Sequence, residues 1–265
     1  MSAPNTTAVD SLDDPRIADY RDLKDRELAR DQGKFIAESE LVVRRLLTSD
    51  FTTASVLLAA RKADEIAPLV PPGVPVYVVS DEMIHHVVGF RFHSGVIACG
   101  LRRAPRPLAD VLAGLGATAT IVVLPDTIST ENLGGLLRLS AGFGANAVIL
   151  GPRCCDPFYR QSIRVSMGTV FRLNVIPSGD LGRDLDLLAS HGIERVATVL
   201  DESAEPLATA GRRPRMALLL GNEAQGLGPD ELAHCDRRVT IPMKLGTDSL
   251  NVTVAAGIFL YHFTR

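Results

Sequence analysis

Short, continuous apolar runs alternate with segments of mixed polarity along most of this chain. Phe35–Ala37, Ser55–Ala59, Val76–Val79 and Val96–Cys99 are bounded by polar or turn-forming residues, which predicts strands. Ile17–Arg30, the stretch from Ser39 to about Leu47, Ala63–Leu69 and Asp81–Val88 carry apolar residues at helical spacing. Ser39 is placed to cap the second of these helices. The alternation resumes later, with strands predicted at Thr120–Leu124, Ala147–Leu150, Arg195–Leu200, Met216–Gly221 and Arg238–Ile241. Helical segments lie between them, and a last helix is predicted from about Leu250 to Phe263. Strands that are apolar throughout, alternating with helices, imply a parallel sheet covered on both faces, hence an α/β fold.

The pattern also divides the chain. Residues 1–15 are polar and turn-rich and read as a loosely attached terminus. Residues 16–100 form a small α/β unit of domain size. Residues 101–107, Leu101-Arg102-Arg103-Ala104-Pro105-Arg106-Pro107, break the pattern and read as a linker. Residues 108–265 hold the second α/β unit.

Composition narrows the classes. The chain has 265 residues, 46% hydrophobic, enough for a sizeable core in one or two domains. A net charge of -3 gives no global cationic field, so a nucleic-acid role needs local basic patches. Arg91, Arg102, Arg103 and Arg164 are the candidates for RNA contact, with Arg106 and the run Arg212, Arg213 and Arg215 beside them. Basic runs read equally as solvated faces and as phosphate contacts. Aromatics make up 5% and Trp is absent, which argues against a platform for stacked single-stranded bases. Cys99, Cys154, Cys155 and Cys235 form no CxxC pair, and His85, His86 and His93 lack a matching carboxylate spacing, so no metal is expected. No signal-peptide layout and no membrane-length apolar run occur, which points to a cytoplasmic protein.

Candidate chemistry gathers where predicted strands stop. Met216–Leu220 runs into Gly221-Asn222-Glu223-Ala224-Gln225-Gly226-Leu227, a loop without the G-x-G-x-x-G spacing of a dinucleotide site. Ile241-Pro242-Met243 ends another strand, because Pro242 cannot donate a ladder hydrogen bond. Ser249-Leu250-Asn251-Val252 opens the last helix, with Ser249 readable as its cap. Upstream, Asn132-x-Gly134-x-x-x-Arg138 follows a strand end. Asn132 and Arg138 alone read as a helix-capping Asn and a surface Arg, and six residues apart they do not stack on an ideal helix. The carboxyl edge of an open α/β sheet is where ligands sit, so these strand ends point to one composite site.

Together these segments resemble the SpoU (TrmH-type) family of RNA ribose 2′-O-methyltransferases, within the knotted SPOUT class. The resemblance rests on Asn132-x-Gly134-x-x-x-Arg138, Gly221-Asn222-Glu223-x-x-Gly226-Leu227 and Ile241-Pro242-Met243 through Ser249-Leu250-Asn251-Val252, in the family's order and spacing. Arg164-Val165-Ser166-Met167-Gly168 matches a further family element, and Thr253 stands where members often carry Ser. The first unit is similar to the ribosomal-protein-type RNA-binding domain of rRNA-directed members.

The resemblance implies a trefoil-knotted parallel sheet and a homodimer formed through the knot region. It implies S-adenosyl-L-methionine held by Leu200, Gly221, Asn222, Gly226, Ile241, Met243 and Leu250. Arg138, Asn132, Glu223, Ser249 and Asn251 are its implied catalytic residues. Arg138 has been given the role of base in the family. A guanidinium stays protonated in nearly all settings, so the alternative is that Arg138 anchors the RNA phosphate and stabilises the developing alkoxide while the proton leaves to phosphate or water. Glu223 and Ser249 would orient Arg138 or the phosphate, with rRNA as the substrate. Other readings are a tRNA 2′-O-methyltransferase, a knotted RNA-binding protein without catalysis, and a resistance determinant that methylates an antibiotic site on the ribosome.

Overall fold

A computed structural model describes residues 6–21, 23, 33–244 and 249–265. In chain order the elements are β1 (Thr6–Ala8), β2 (Lys34–Glu38), α1 (Glu40–Leu47), β3 (Thr53–Ala59), α2 (Ala63–Ile66), β4 (Val76–Val79), α3 (Met83–Val88) and β5 (Val96–Leu101). They continue with α4 (Leu108–Ala113), β6 (Ala119–Leu124), α5 (Thr130–Gly142), β7 (Ala147–Leu150), α6 (Arg160–Val165), β8 (Val175–Pro177), α7 (Leu181–Ser190) and β9 (Glu194–Val199). The last are β10 (Glu205–Pro206), β11 (Arg215–Leu219), α8 (Pro229–Ala233), β12 (Arg237–Thr240) and α9 (Val252–Thr264). The chain divides into two compact units, one of residues 1–104 with 158–171, the other of 105–157 with 172–265.

The first unit is built on a five-stranded sheet in the order β1-β4-β3-β5-β2. β1, β4 and β3 run parallel, and β5 pairs antiparallel with β3 and β2. Three sequence expectations change here. The terminus expected to be loose is pinned from residue 6 onward, because Thr6–Ala8 pair with Val76–Val78 and Val9 is buried. Of the helix expected over Ile17–Arg30, Pro15–Tyr20 form a 3-10 turn that buries Ile17 and Tyr20, and most of the rest lies outside the described residues. The linker starts later than Leu101, which still pairs with Lys34, and Arg102 N–H extends the ladder to Gly33 O at 2.7 Å.

The expectation of a second unit continuous over 108–265 is also corrected. Residues 158–171, carrying α6, pack with the first unit. The reason is an aromatic cluster: Phe35 has ring centroids 5.7, 5.3 and 5.3 Å from Phe51, Phe158 and Phe171. A Cβ on Gly100 would lie 2.2 Å from the Phe35 ring, so only glycine admits the ring there. Arg160 reinforces the docking by donating to the buried Glu38 carboxylate at 2.5 Å and lying over the Phe90 ring.

The second unit holds a seven-stranded, all-parallel sheet in the order β10-β12-β9-β11-β6-β7-β8. Every residue of β6 and β7 is buried, as their uninterrupted apolar sequence requires. Leu108, Val111 and Leu112 of α4 and Leu185 and Leu188 of α7 pack on Ile121, Val123, Ile149 and Leu219. Among the described residues no helix is long and apolar enough to cross a membrane.

Ser39 does not cap α1 with its side chain, contrary to the sequence expectation, and sits at φ 88°, ψ 150°. That backbone region is essentially reserved for glycine and strains other residues by about 1–3 kcal/mol. The position is nonetheless fixed, since Ser39 N–H donates to Val96 O and Ser39 O accepts from Val43 N–H. Ser39→Gly is therefore expected to stabilise the protein by about 1 kcal/mol, after allowing for glycine's greater unfolded-state freedom. Denaturant midpoints of the two proteins would check it, and a lower midpoint for the glycine variant would refute it.

Candidate active site

The carboxyl ends of β9, β11 and β12 open onto a cavity of about 530 Å³, closed on one side by α9. Its size is that of a small-molecule site. Leu200, Gly221, Asn222, Gly226, Ile241, Met243 and Leu250 all line it, and so do Glu223 and Ser249. Thr198, Val199, Asp201, Arg238 and Phe259 also line it, although the sequence reading singled out none of them. Asp201 follows the end of β9 and Arg238 lies within β12. Only the parallel register of β9 and β12 brings them to one wall.

The loop after β11 is rigid for reasons visible in its residues. Asn222 N–H donates to Gly226 O at 3.0 Å and Gly226 N–H returns to Asn222 O at 2.9 Å. Asn222 Oδ1 accepts from Ala224 N–H at 2.8 Å and Gln225 N–H at 3.2 Å. Gly226 closes this turn at φ 68°. A Cβ on Gly221 would lie 2.4 Å from the Gly226 carbonyl carbon, so two backbones touch there and leave a wall of peptide groups. The turn presents the Glu223 carboxylate outward from a fixed base.

Two helices begin beside that loop. Ser129 caps α5, accepting from Asn132 N–H at 3.2 Å, and the helix runs through Gly134 and Gly135 without a break. With no irregular turn at Gly134, the six-residue spacing leaves Asn132 and Arg138 on different sides of α5, as the sequence spacing implied. Asn251, not Ser249, caps α9: its Oδ1 accepts from Thr253 N–H at 2.8 Å and from the Thr253 hydroxyl. Asn251 Nδ2 then donates to Asn132 Oδ1 at 3.1 Å, and Asn132 Nδ2 donates to Glu223 Oε1 at 2.6 Å. Three segments distant in sequence are thus joined in one directional chain that ends on a carboxylate.

Arg138 does not join this group. On a continuous helix it lies about 9 Å and roughly 120° from Asn132. It is exposed and does not line the cavity, and among the described residues it has no hydrogen bond or ion pair. The role expected for Glu223 and Ser249, orienting Arg138, finds no contact within one chain. Glu223 accepts from Asn132 instead.

The proposed RNA contacts fall in the first unit. Arg91 and Arg164 are exposed. Arg102 donates to Lys34 O and lies 5.4 Å over the Phe158 ring, while Arg103 lies 4.4 Å over Phe51 and 3.8 Å from Asp50. The run Arg212, Arg213 and Arg215 sits where strands of the second unit begin. Arg212 donates to Thr120 Oγ1, Arg215 to Gly116 O, and Arg213 pairs with Glu194. These three brace strand starts at the edge opposite the cavity.

Among the cavity's ionisable groups, Asp201 stays below the usual carboxylate range. The Ser203 hydroxyl and N–H donate to it, and the Arg238 charge adds to the effect. Among the described residues no three His, Cys, Asp or Glu side chains gather into a metal-binding group.

A profile of the SpoU rRNA methylase family matches residues 119–261, the span that contains the cavity and the Asn251–Asn132–Glu223 chain. The chain belongs to the SpoU rRNA methylase family. This SpoU protein is 39% identical to an uncharacterized tRNA/rRNA methyltransferase of Mycobacterium bovis, over 96% of this chain and 90% of that one. It is 31% identical to the 23S rRNA (guanosine-2′-O-)-methyltransferase RlmB of Acinetobacter baylyi, over 74% and 80%. Its fold is that of the AdoMet-bound rRNA methyltransferase of Sinorhizobium meliloti, with a TM-score of 0.81, 25% identity and 97% of each chain covered.

In this SpoU protein the contact between α5 and α9 depends on Gly135, where an added Cβ would lie 2.7 Å from Thr253 Cγ2. Thr253 cannot rotate away without breaking its hydroxyl bond to Asn251. Gly135→Ala is expected to lose about 1 kcal/mol or more despite alanine's better helix propensity. Thr253→Ser removes the offending methyl and keeps the hydroxyl, so the double variant should regain most of that loss. Denaturation of the four proteins of the cycle decides it; strict additivity of the two changes would refute the clash.

Proposed function

We propose that this protein transfers a methyl group from S-adenosyl-L-methionine to a ribose 2′-hydroxyl of rRNA. The observation that carries the reading is the adjacency of the strand-end cavity to the Asn251–Asn132–Glu223 chain. The cavity's volume and its peptide-lined wall at Gly221 suit a bent nucleoside with a charged tail. Leu200, Gly221, Asn222, Gly226, Ile241, Met243 and Leu250 would hold it, aliphatic side chains against the base and peptide groups on its edge. When bound, the cofactor supplies a methyl on a sulfonium, an activated leaving group that needs no metal. The protein's own tasks are to align the 2′-oxygen and manage its proton.

The choice of rRNA is supported by the extent of similarity. The match to the rRNA methyltransferase of Sinorhizobium meliloti includes the first unit. That unit is proposed as the RNA-binding part, with Arg91 and Arg164 as exposed cations for phosphates.

A homodimer joined through a trefoil-knotted C-terminal region accounts for Arg138. Its guanidinium is exposed and away from its own chain's cavity, and a second copy would receive it. There it would neutralise the phosphate beside the target ribose. Ser249, on the cavity wall, would contact the same nucleotide. We place the protein in the cytoplasm, where assembling ribosomes are.

The test pairs calorimetric titration with S-adenosyl-L-methionine and transfer of tritiated methyl to protein-free rRNA, for the wild type and Arg138→Ala. Both proteins are expected to bind the cofactor equally. Transfer by the variant should fall about 10²–10³-fold, as when a charge-stabilising donor is removed. A folded wild type that binds no S-adenosyl-L-methionine would overturn the reading.

A further inference from the structure

Among the described residues three ionisable side chains line the cavity, namely Asp201, Glu223 and Arg238. A guanidinium is no acceptor, which leaves the two carboxylates. Asp201 Oδ1 already takes the Ser203 hydroxyl at 2.7 Å and N–H at 2.8 Å, and these donors hold its proton affinity down. Glu223 is arranged differently. Its Oε1 takes the Asn132 amide at 2.6 Å, while among the described residues Oε2 accepts no hydrogen bond and no cation pairs with either oxygen.

The chain behind Glu223 fixes which way it faces. Thr253 donates to Asn251, Asn251 to Asn132, and Asn132 to Glu223, so each amide has its oxygen occupied from behind and its nitrogen aimed forward. A flip would cost Asn132 both of its bonds, and would cost Asn251 its bonds to Asn132 and to Thr253 N–H. Asn132 therefore always offers Glu223 a donor, and the other oxygen stays available as an acceptor on a residue that lines the cavity. Both ends of the chain rest on rigid backbone, the Asn222–Gly226 turn and the start of α9.

We propose that Glu223 Oε2 is the acceptor of the ribose 2′-hydroxyl proton, a role that rests on the methyltransferase reading above. The 2′-oxygen bonds to the methyl carbon and its hydrogen passes to Oε2. The electron pair of the broken carbon–sulfur bond stays on sulfur, which becomes a neutral thioether. Charge balances, because a sulfonium and a carboxylate give a neutral sulfide and a neutral carboxylic acid. A carboxylate is a sufficient base, because an oxygen that carries both hydrogen and a new methyl is strongly acidic. Arg138 then needs no deprotonated form and serves as a fixed positive charge.

The test is single-turnover transfer of tritiated methyl from S-adenosyl-L-methionine to protein-free rRNA from cells lacking this protein, scored as alkali-resistant label. Glu223→Gln keeps the shape and an acceptor for Asn132. It is expected to bind S-adenosyl-L-methionine within about threefold of the wild type by calorimetry and to transfer methyl about 10²–10⁴-fold more slowly. Glu223→Ala should regain about tenfold in rate on addition of formate, a rescue that a merely structural role would not give. Glu223→Gln transferring within about threefold of the wild type would overturn the proposal. So would a loss confined to cofactor or RNA binding, which would make Glu223 an anchor. No alkali-resistant label from the wild type would instead overturn the methyltransferase reading, and the present inference with it.

Discussion

The Asn132 side chain is the joint on which the second unit's site depends. Its oxygen holds the start of α9 through Asn251, and its nitrogen holds the loop after β11 through Glu223. An amide suits this place because one end accepts and the other donates, so a single neutral group satisfies two different neighbours. Aspartate would set a second negative charge against Glu223, and leucine would leave both neighbours unpaired. The joint also requires close helices. Gly135, three residues on, removes the side chain that would hold α5 away from Thr253. Polar chain and glycine contact are thus two halves of one constraint, each useless without the other.

The sheet separates the molecule's charges by edge. Where the second unit's strands begin, Arg195, Arg212, Arg215 and Arg237 bond to backbone carbonyls or to Asp236, Glu194 and Glu205. Where β9, β11 and β12 end, the wall is largely aliphatic and peptide, with three ionisable groups among the described residues. Parallel strands make this division possible, since all their carboxyl ends share one edge. The cations that brace one edge are thereby kept away from a sulfonium held at the other, which they would repel.

Much of this was legible in the sequence, and the parts that were not have physical reasons. Uninterrupted apolar runs such as Thr120–Leu124 and Ala147–Leu150 announced buried parallel strands, and strand ends carrying Asn, Gly and Glu announced the cavity edge. Ser39 and Ser249 misled as caps because capping depends on backbone geometry that residue type does not fix. Asn251 was the true cap, hidden by a Ser two residues earlier. The affiliation of residues 158–171 could not be read from local pattern, since it follows from ring packing of Phe158 and Phe171 on Phe35 and Phe51 across more than a hundred residues. The packing of the linker arginines was hidden for the same reason: nothing local reveals that Arg102 and Arg103 stack on rings of that cluster.

Arg138 shows how motif and geometry divide the work of inference. The motif joins Asn132 and Arg138 as one element, yet the unbroken helix turns them to different faces. In the proposed dimer, a side chain tied to the site by sequence and absent from it in a single chain is supplied by the second copy. Asn132 faces inward to its own chain's loop, and Arg138 faces out. In the proposed dimer one helix would serve two cavities, holding the carboxylate of one with its amide and offering a charge to the other with its guanidinium. Under that arrangement a folded lone chain keeps its cofactor cavity and its carboxylate chain intact, and lacks only the cation.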